Sequence, residues 1–98
     1  MAEEAARHGW TFLTNHAHVL VCIARDEDIR LRDVAVQVGI TERSAQLILA
    51  DLVDQGYVTR TRVGRRNTYL VHTDRPLRHP LEHDRLVGEL LRTVGPQR

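Results

Sequence analysis

The chain has 98 residues, 42% apolar and 28% charged, with a formal net charge of +1. That length holds one small domain with a modest core, and pairing with a second copy would add to its stability. A single cysteine excludes an internal disulfide and a four-cysteine zinc module, and no apolar run nears the roughly 20 residues of a membrane span.

Residues 1–7 are mixed in charge and carry no apolar core, so no signal peptide is expected there, and residues 1–9 read as a polar, flexible terminus. Trp10, Phe12 and Leu13 then bring apolar mass, and Thr14 or Asn15 suits a helix N-cap. Ala17, Leu20, Val21 and Ala24 recur at the spacing of one helix face. Val19, Cys22 and Ile23 widen that face into a well-buried helix. Residues 25–28, Arg-Asp-Glu-Asp, make a charged connector. Leu31, Val34, Ala35 and Val38 repeat the helical spacing until Gly39 stops it. Thr41 is placed to cap a third helix over 42–54, whose stripe is Ala45, Ile48, Leu49, Leu52 and Val53 and which ends before Gly56.

The period then changes. Tyr57, Thr59, Thr61 and Val63 alternate with Val58, Arg60 and Arg62, residues 63–67 hold a glycine turn, and residues 68–71 return. This pattern predicts a β-hairpin over 57–71 with an arginine-rich tip. Pro76 and Pro80 exclude regular helix between them. Leu86, Val87, Leu90, Leu91 and Val94 predict a last amphipathic helix over 83–94, introduced by Pro80 and ended by Gly95-Pro96.

Charge is unevenly distributed along this order. Residues 1–57 hold five Arg and nine acids, whereas residues 58–80 hold six Arg and one acid, Asp74. All 14 basic residues are arginine. A basic stripe confined to one segment is the footprint of a polyanion-binding face.

The succession of helix, helix, tight turn, helix and hairpin is specific. Ala35 is small where two helices cross, Gly39 follows four residues later, and Val34, Val38, Ile40, Ala45 and Ile48 are apolar where the pair would pack. With residues 39–45 (Gly-Ile-Thr-Glu-Arg-Ser-Ala) and 51–58 (Asp-Leu-Val-Asp-Gln-Gly-Tyr-Val), residues 12–71 resemble the winged helix-turn-helix transcription regulators, especially the MarR-like and ArsR-like groups of bacteria and archaea. The resemblance implies an α+β winged helix-turn-helix domain: a three-helix core, a two-stranded β-hairpin wing and a C-terminal helix. It implies a cytoplasmic, DNA-binding homodimer that regulates transcription. The third helix would enter the major groove, presenting Thr41, Arg43, Ser44, Gln46, Leu47 and Ala50. Arg grips guanine and Gln grips adenine through paired hydrogen bonds, while Ser and Thr hydroxyls reach phosphates. The wing would set Arg62, Arg65, Arg66 and Asn67 on the backbone or in the minor groove.

Some features depart from that pattern. Glu42, Asp51 and Asp54 outnumber Arg43 on the third helix, and Leu47 stands where family members often carry a basic residue. These features keep open an alternative, a winged helix that binds protein as an interaction module or adaptor subunit. No Gly-rich phosphate loop or nucleophile elbow is present, so neither catalysis nor a cofactor is expected. Cys22, on an apolar face, is expected to be a buried structural thiol, although some MarR-like regulators sense oxidation through cysteine. His79 and His83 have the i, i+4 spacing of two ligands on one helix face, but no metal is expected, since solvated histidines are the commoner case. Trp10, Phe12, Leu13 and the last helix are candidate dimer-forming elements. Two copies would set two recognition helices roughly 34 Å apart on a palindromic site.

Overall fold

The first apolar stripe folds into α1 (Asn15–Arg25) in a computed structural model that describes residues 9–95. The expected flexible terminus lies outside the described residues except for Gly9, as does Pro96. Thr14 is the N-cap, its hydroxyl accepting the Ala17 N–H at 3.2 Å. The buried face of α1 is Val19, Leu20, Cys22 and Ile23, while Ala17, Val21 and Ala24 are half-buried. The helix is thus buried beside the predicted stripe as well as along it, because it is covered from several sides by α2 (Leu31–Val38), α3 (Glu42–Asp54), the sheet and the last helix.

α2 buries Val34 and Ala35. Gly39 ends it in the left-handed region at φ +85°, where the Gly39 and Ile40 N–H groups both reach the Ala35 carbonyl, at 2.8 and 3.0 Å. A side chain at that φ is strained, which is why glycine sits at this corner. Thr41 then caps α3, its hydroxyl accepting the Ser44 N–H at 3.0 Å. Ala45, Leu49 and Leu52 face inward, so the small Ala35 and Ala45 both lie in the core where α2 and α3 pack together.

The hairpin pairs β1 (Val58–Val63) with β2 (Arg66–Val71) in antiparallel register from Val58↔Val71 to Val63↔Arg66. The loop is only Gly64 and Arg65, with Gly64 at φ +64°, the first-position glycine of a primed hairpin turn. Arg66 and Asn67, expected in the turn, therefore lie on β2. The outer edge of β2 is tied to the connector after α1. The Tyr69 N–H and the Thr68 hydroxyl both donate to the Glu27 carbonyl, at 2.9 and 3.3 Å. Val58 and Tyr69 are buried at the base of the hairpin.

The last helix differs from its prediction. α4 spans Val87–Val94, not 83–94, and residues 80–84 form turns. The segment before α4 is held by pairing that local periodicity cannot show. Pro76 bridges Leu86, Leu77 N–H donates to the Arg85 carbonyl at 2.9 Å, and Val87 N–H donates to the Arg75 carbonyl at 2.8 Å. The Glu89 carboxylate then caps the helix, accepting the Leu86 N–H at 2.8 Å and an Arg85 N–H at 3.1 Å. Those two donors, the backbone one foremost, hold the Glu89 carboxyl below the usual carboxylate range. Val87 and Leu91 are buried in the common core and α4 packs on α1, so much of the stripe is consumed within the chain. Among the described residues four helices and one two-stranded antiparallel sheet make an α+β domain, and no helix is long and apolar enough to cross a membrane.

Tyr57 links the hairpin base to this segment. Its hydroxyl donates to the Pro76 carbonyl at 2.6 Å, and the Arg75 guanidinium sits 5.5 Å above its ring while donating to the Gln55 carbonyl at 3.0 Å. Tyr57→Phe keeps the ring and removes one bond, so it is expected to cost about 1 kcal/mol. Thermal unfolding would show this as a midpoint lowered by roughly 4–8 °C; an unchanged midpoint would mean that the hydroxyl holds nothing.

Candidate nucleic-acid interface

The exposed side of α3 begins at its cap. The Thr41 hydroxyl proton is engaged with Ser44 Oγ at 3.0 Å, leaving the proton of half-buried Ser44 as the one directed elsewhere. Arg43, Gln46, Leu47 and Ala50 are all exposed. Arg43, Gln46 and Ala50 fall at i, i+3 and i+7, one face of the helix, with Leu47 beside them. Leu47 is 58% exposed, an uncovered leucine in the middle of that face.

The three acids of α3 are disposed differently from one another. Glu42 occupies the first turn, where the helix dipole favours a carboxylate. Asp51 turns toward α1, its Oδ2 lying 2.8 Å from His16 Nε2. Asp54 accepts an N–H from the Gln55 side chain at 3.2 Å. Asp51 thus has its partner on α1, away from Arg43 and Gln46, whereas Asp54 stands three turns on from Arg43, on the same side of the helix as Arg43 and Ala50. His16 carries no sequence signal for this role, because its partner is 35 residues away.

The wing residues separate into two groups. Arg62 folds back on the turn, its Nε donating to the Gly64 carbonyl at 3.3 Å. Arg65, Arg66 and Asn67 line an open recess of about 670 Å³ together with Gln46 of α3. The structure therefore brings one predicted helix residue and three predicted wing residues to a single hollow. It also adds Arg30 and Arg60 to that hollow. Arg60 lies within the basic segment, but only the strand register turns it toward the same side as Tyr69, its cross-strand partner. Arg30 belongs to the connector before α2, and nothing in its own stretch points to the hairpin. Arg66 is anchored, its Nη2 donating to the Asp28 carbonyl at 3.0 Å.

The other candidate groups behave as structural ones. Cys22 is buried, its thiol is pushed up by that burial despite the nearby Arg25, and Sγ lies 3.5 Å from Gln37 Oε1. A buried thiol with a raised pKa is a poor nucleophile. The stretch holding His79 and His83 is not helical, so the i, i+4 argument for a shared helix face lapses, and His79 Nδ1 accepts the Leu81 N–H at 3.0 Å. Among the described residues no three His, Cys, Asp or Glu side chains are gathered to hold a metal ion.

No protein-family model matches the chain, and no curated protein matches it significantly.

Proposed function

We propose that this chain is a winged helix-turn-helix protein that binds duplex DNA as a homodimer and regulates transcription. The observation that carries this reading is the shared placement of α3 and the hairpin. Gln46, on the exposed face of α3, borders the same recess as Arg65, Arg66 and Asn67 of the wing. A duplex lying along that side would meet Arg43 and Gln46 in its major groove and the wing arginines on its backbone. Of the acids that count against DNA binding on charge alone, Asp51 is drawn off this face by His16, and Glu42 sits at the helix start where the dipole favours it.

The second copy would pair through the apolar surface that the fold leaves uncovered. Phe12 is 92% exposed and Trp10 67% exposed, and their rings meet edge to face at 5.0 Å. Phe12 and Leu13 border an apolar groove formed by Leu20, Leu52, Tyr57 and Leu90. Two such arms related by a twofold axis would cover each other's groove. The contribution expected of α4 narrows to Leu90 and its neighbours, since Val87 and Leu91 are buried in the core.

The test is fluorescence anisotropy of a labelled duplex titrated with the chain at low and at physiological salt. Binding that weakens steeply with salt is expected, because displaced counterions dominate the affinity. Arg65→Ala with Arg66→Ala should weaken all sequences alike and reduce the salt slope by about 0.9 for each phosphate left without its arginine. Absence of binding at low salt would overturn the reading. The exposed Leu47 supports a second reading, a protein-binding winged helix, for which Leu47→Asp would abolish retention of a protein partner.

A further inference from the structure

The recess between the 28–31 segment, α3 and the hairpin is lined by four arginines, Arg30, Arg60, Arg65 and Arg66. One carboxylate, Asp28, shares it. Among the described residues none of the four arginines forms a salt bridge with a carboxylate. Like charges lining one hollow repel, and an anion between them relieves the part of that repulsion that water, salt and the Asp28 carboxylate leave. The floor sharpens the effect. Leu49 and Tyr69 are buried beneath the recess, and an apolar floor strengthens any charge interaction above it. α2 starts at the edge of the recess with Leu31, and Arg30 at its N-cap supplies no side-chain cap to the first-turn N–H groups. Arg66 is already fixed by the Asp28 carbonyl at 3.0 Å, so part of its ordering cost is met before any ligand arrives. A hollow of about 670 Å³ is larger than one phosphate group fills and falls within the range of small-ligand sites.

We propose that this recess is an oligophosphate site that takes two or more linked phosphate groups, with Arg30, Arg60 and Arg66 as its walls and Arg65 at the hairpin tip. Arginine suits the task because its planar fork binds phosphate oxygens in pairs. The phosphates come either from a DNA strand or from a free oligophosphate. The first source rests on the DNA-binding reading above and the second does not. Both draw on the same arginines, so a free oligophosphate displaces a bound duplex.

The experiment has two arms, both on the full chain at fixed ionic strength. In the first, inorganic tripolyphosphate is titrated calorimetrically, with sulfate as the generic anion. In the second, duplex anisotropy is measured with and without tripolyphosphate. The variants are Arg30→Ala and Arg60→Ala, with Arg92→Ala on α4 as a surface arginine outside the recess. Tripolyphosphate is expected to bind at one site and to compete with duplex. Each recess variant should weaken it roughly tenfold or more, the scale of removing a hydrogen bond to a charged group, while Arg92→Ala changes it less than about twofold. Duplex binding that falls by the same factor in both recess variants, without tripolyphosphate binding, assigns the site to the DNA backbone. Tripolyphosphate binding without duplex binding keeps the recess and overturns the DNA reading. The proposal is overturned if sulfate binds as tightly as tripolyphosphate, if Arg92→Ala matches the recess variants, or if neither recess variant alters either ligand.

Discussion

Leu49→Ala is expected to unfold at a clearly lower urea concentration than the parent chain, with a loss of about 2–5 kcal/mol. Leu49 is 1% exposed and lies in the core on the inward side of α3. The substitution removes buried methyl groups and leaves a cavity that the rigid hairpin base and α1 cannot fully close. A chain of this size has a total stability of about 5–15 kcal/mol, so the loss is a large part of the whole. The midpoint should fall while the slope with urea stays constant, which separates lost stability from a changed denatured state. Leu49→Met, nearly volume-conserving, should cost less than about 1.5 kcal/mol. A loss below about 1 kcal/mol for the alanine variant would mean that α3 is not seated on the core as described.

Arg43→Ala and Gln46→Ala are expected to leave stability nearly unchanged and to alter sequence preference instead. Both side chains are exposed, and alanine is a good helix former, so folding gives little reason for a change. On the proposed DNA reading each side chain reads one base through paired hydrogen bonds, worth about 1–3 kcal/mol of discrimination. Selection from a randomised duplex library should then show preference disappearing at one base pair for each variant, and at different base pairs for the two. This pattern is unlike that of Arg65→Ala with Arg66→Ala, which should weaken every sequence. Identical preferences in parent and variants would remove α3 from the role of base reader.

Much of the fold was legible in the sequence, and the reasons are local. Thr41, Gly39 and the Ala45–Leu49–Leu52 spacing mark the boundaries and buried side of α3 because caps, left-handed corners and helical period act within a few residues. The hairpin was legible because Thr59, Thr61 and Val63 alternate before Gly64 and Thr68, Tyr69, Leu70 and Val71 form a strand-favouring run after it. The segment before α4 was not. Leu86 continues the apolar spacing of Val87, Leu90, Leu91 and Val94, and Pro80 suits a helix start, so periodicity extends the helix back to 83. The Pro76–Leu86 bridge and the bonds of Leu77 and Val87 override it, and their partners lie some ten residues away in sequence. The candidate site divides in the same way. Arg43, Gln46, Arg65, Arg66 and Asn67 could be singled out from motif position, whereas Arg30 and the His16–Asp51 pair depend on segments that meet only after folding.

The double attachment of β2 to the Glu27 carbonyl has a mechanical consequence. With Val58 buried at the root, Glu27 bracing β2 at Tyr69 and the Arg66 guanidinium tied to the Asp28 carbonyl, the hairpin is a short cantilever supported part-way along its length and stayed by one side chain near its tip. About four residues project beyond the brace to the turn, a span of roughly 13 Å at the ordinary strand rise. A rotation of about 5° at the brace then sweeps the tip through about 1 Å over that span. The lever is stiff where it meets the core and compliant where Arg65 sits. Its root holds α3 and the first connector in fixed alignment.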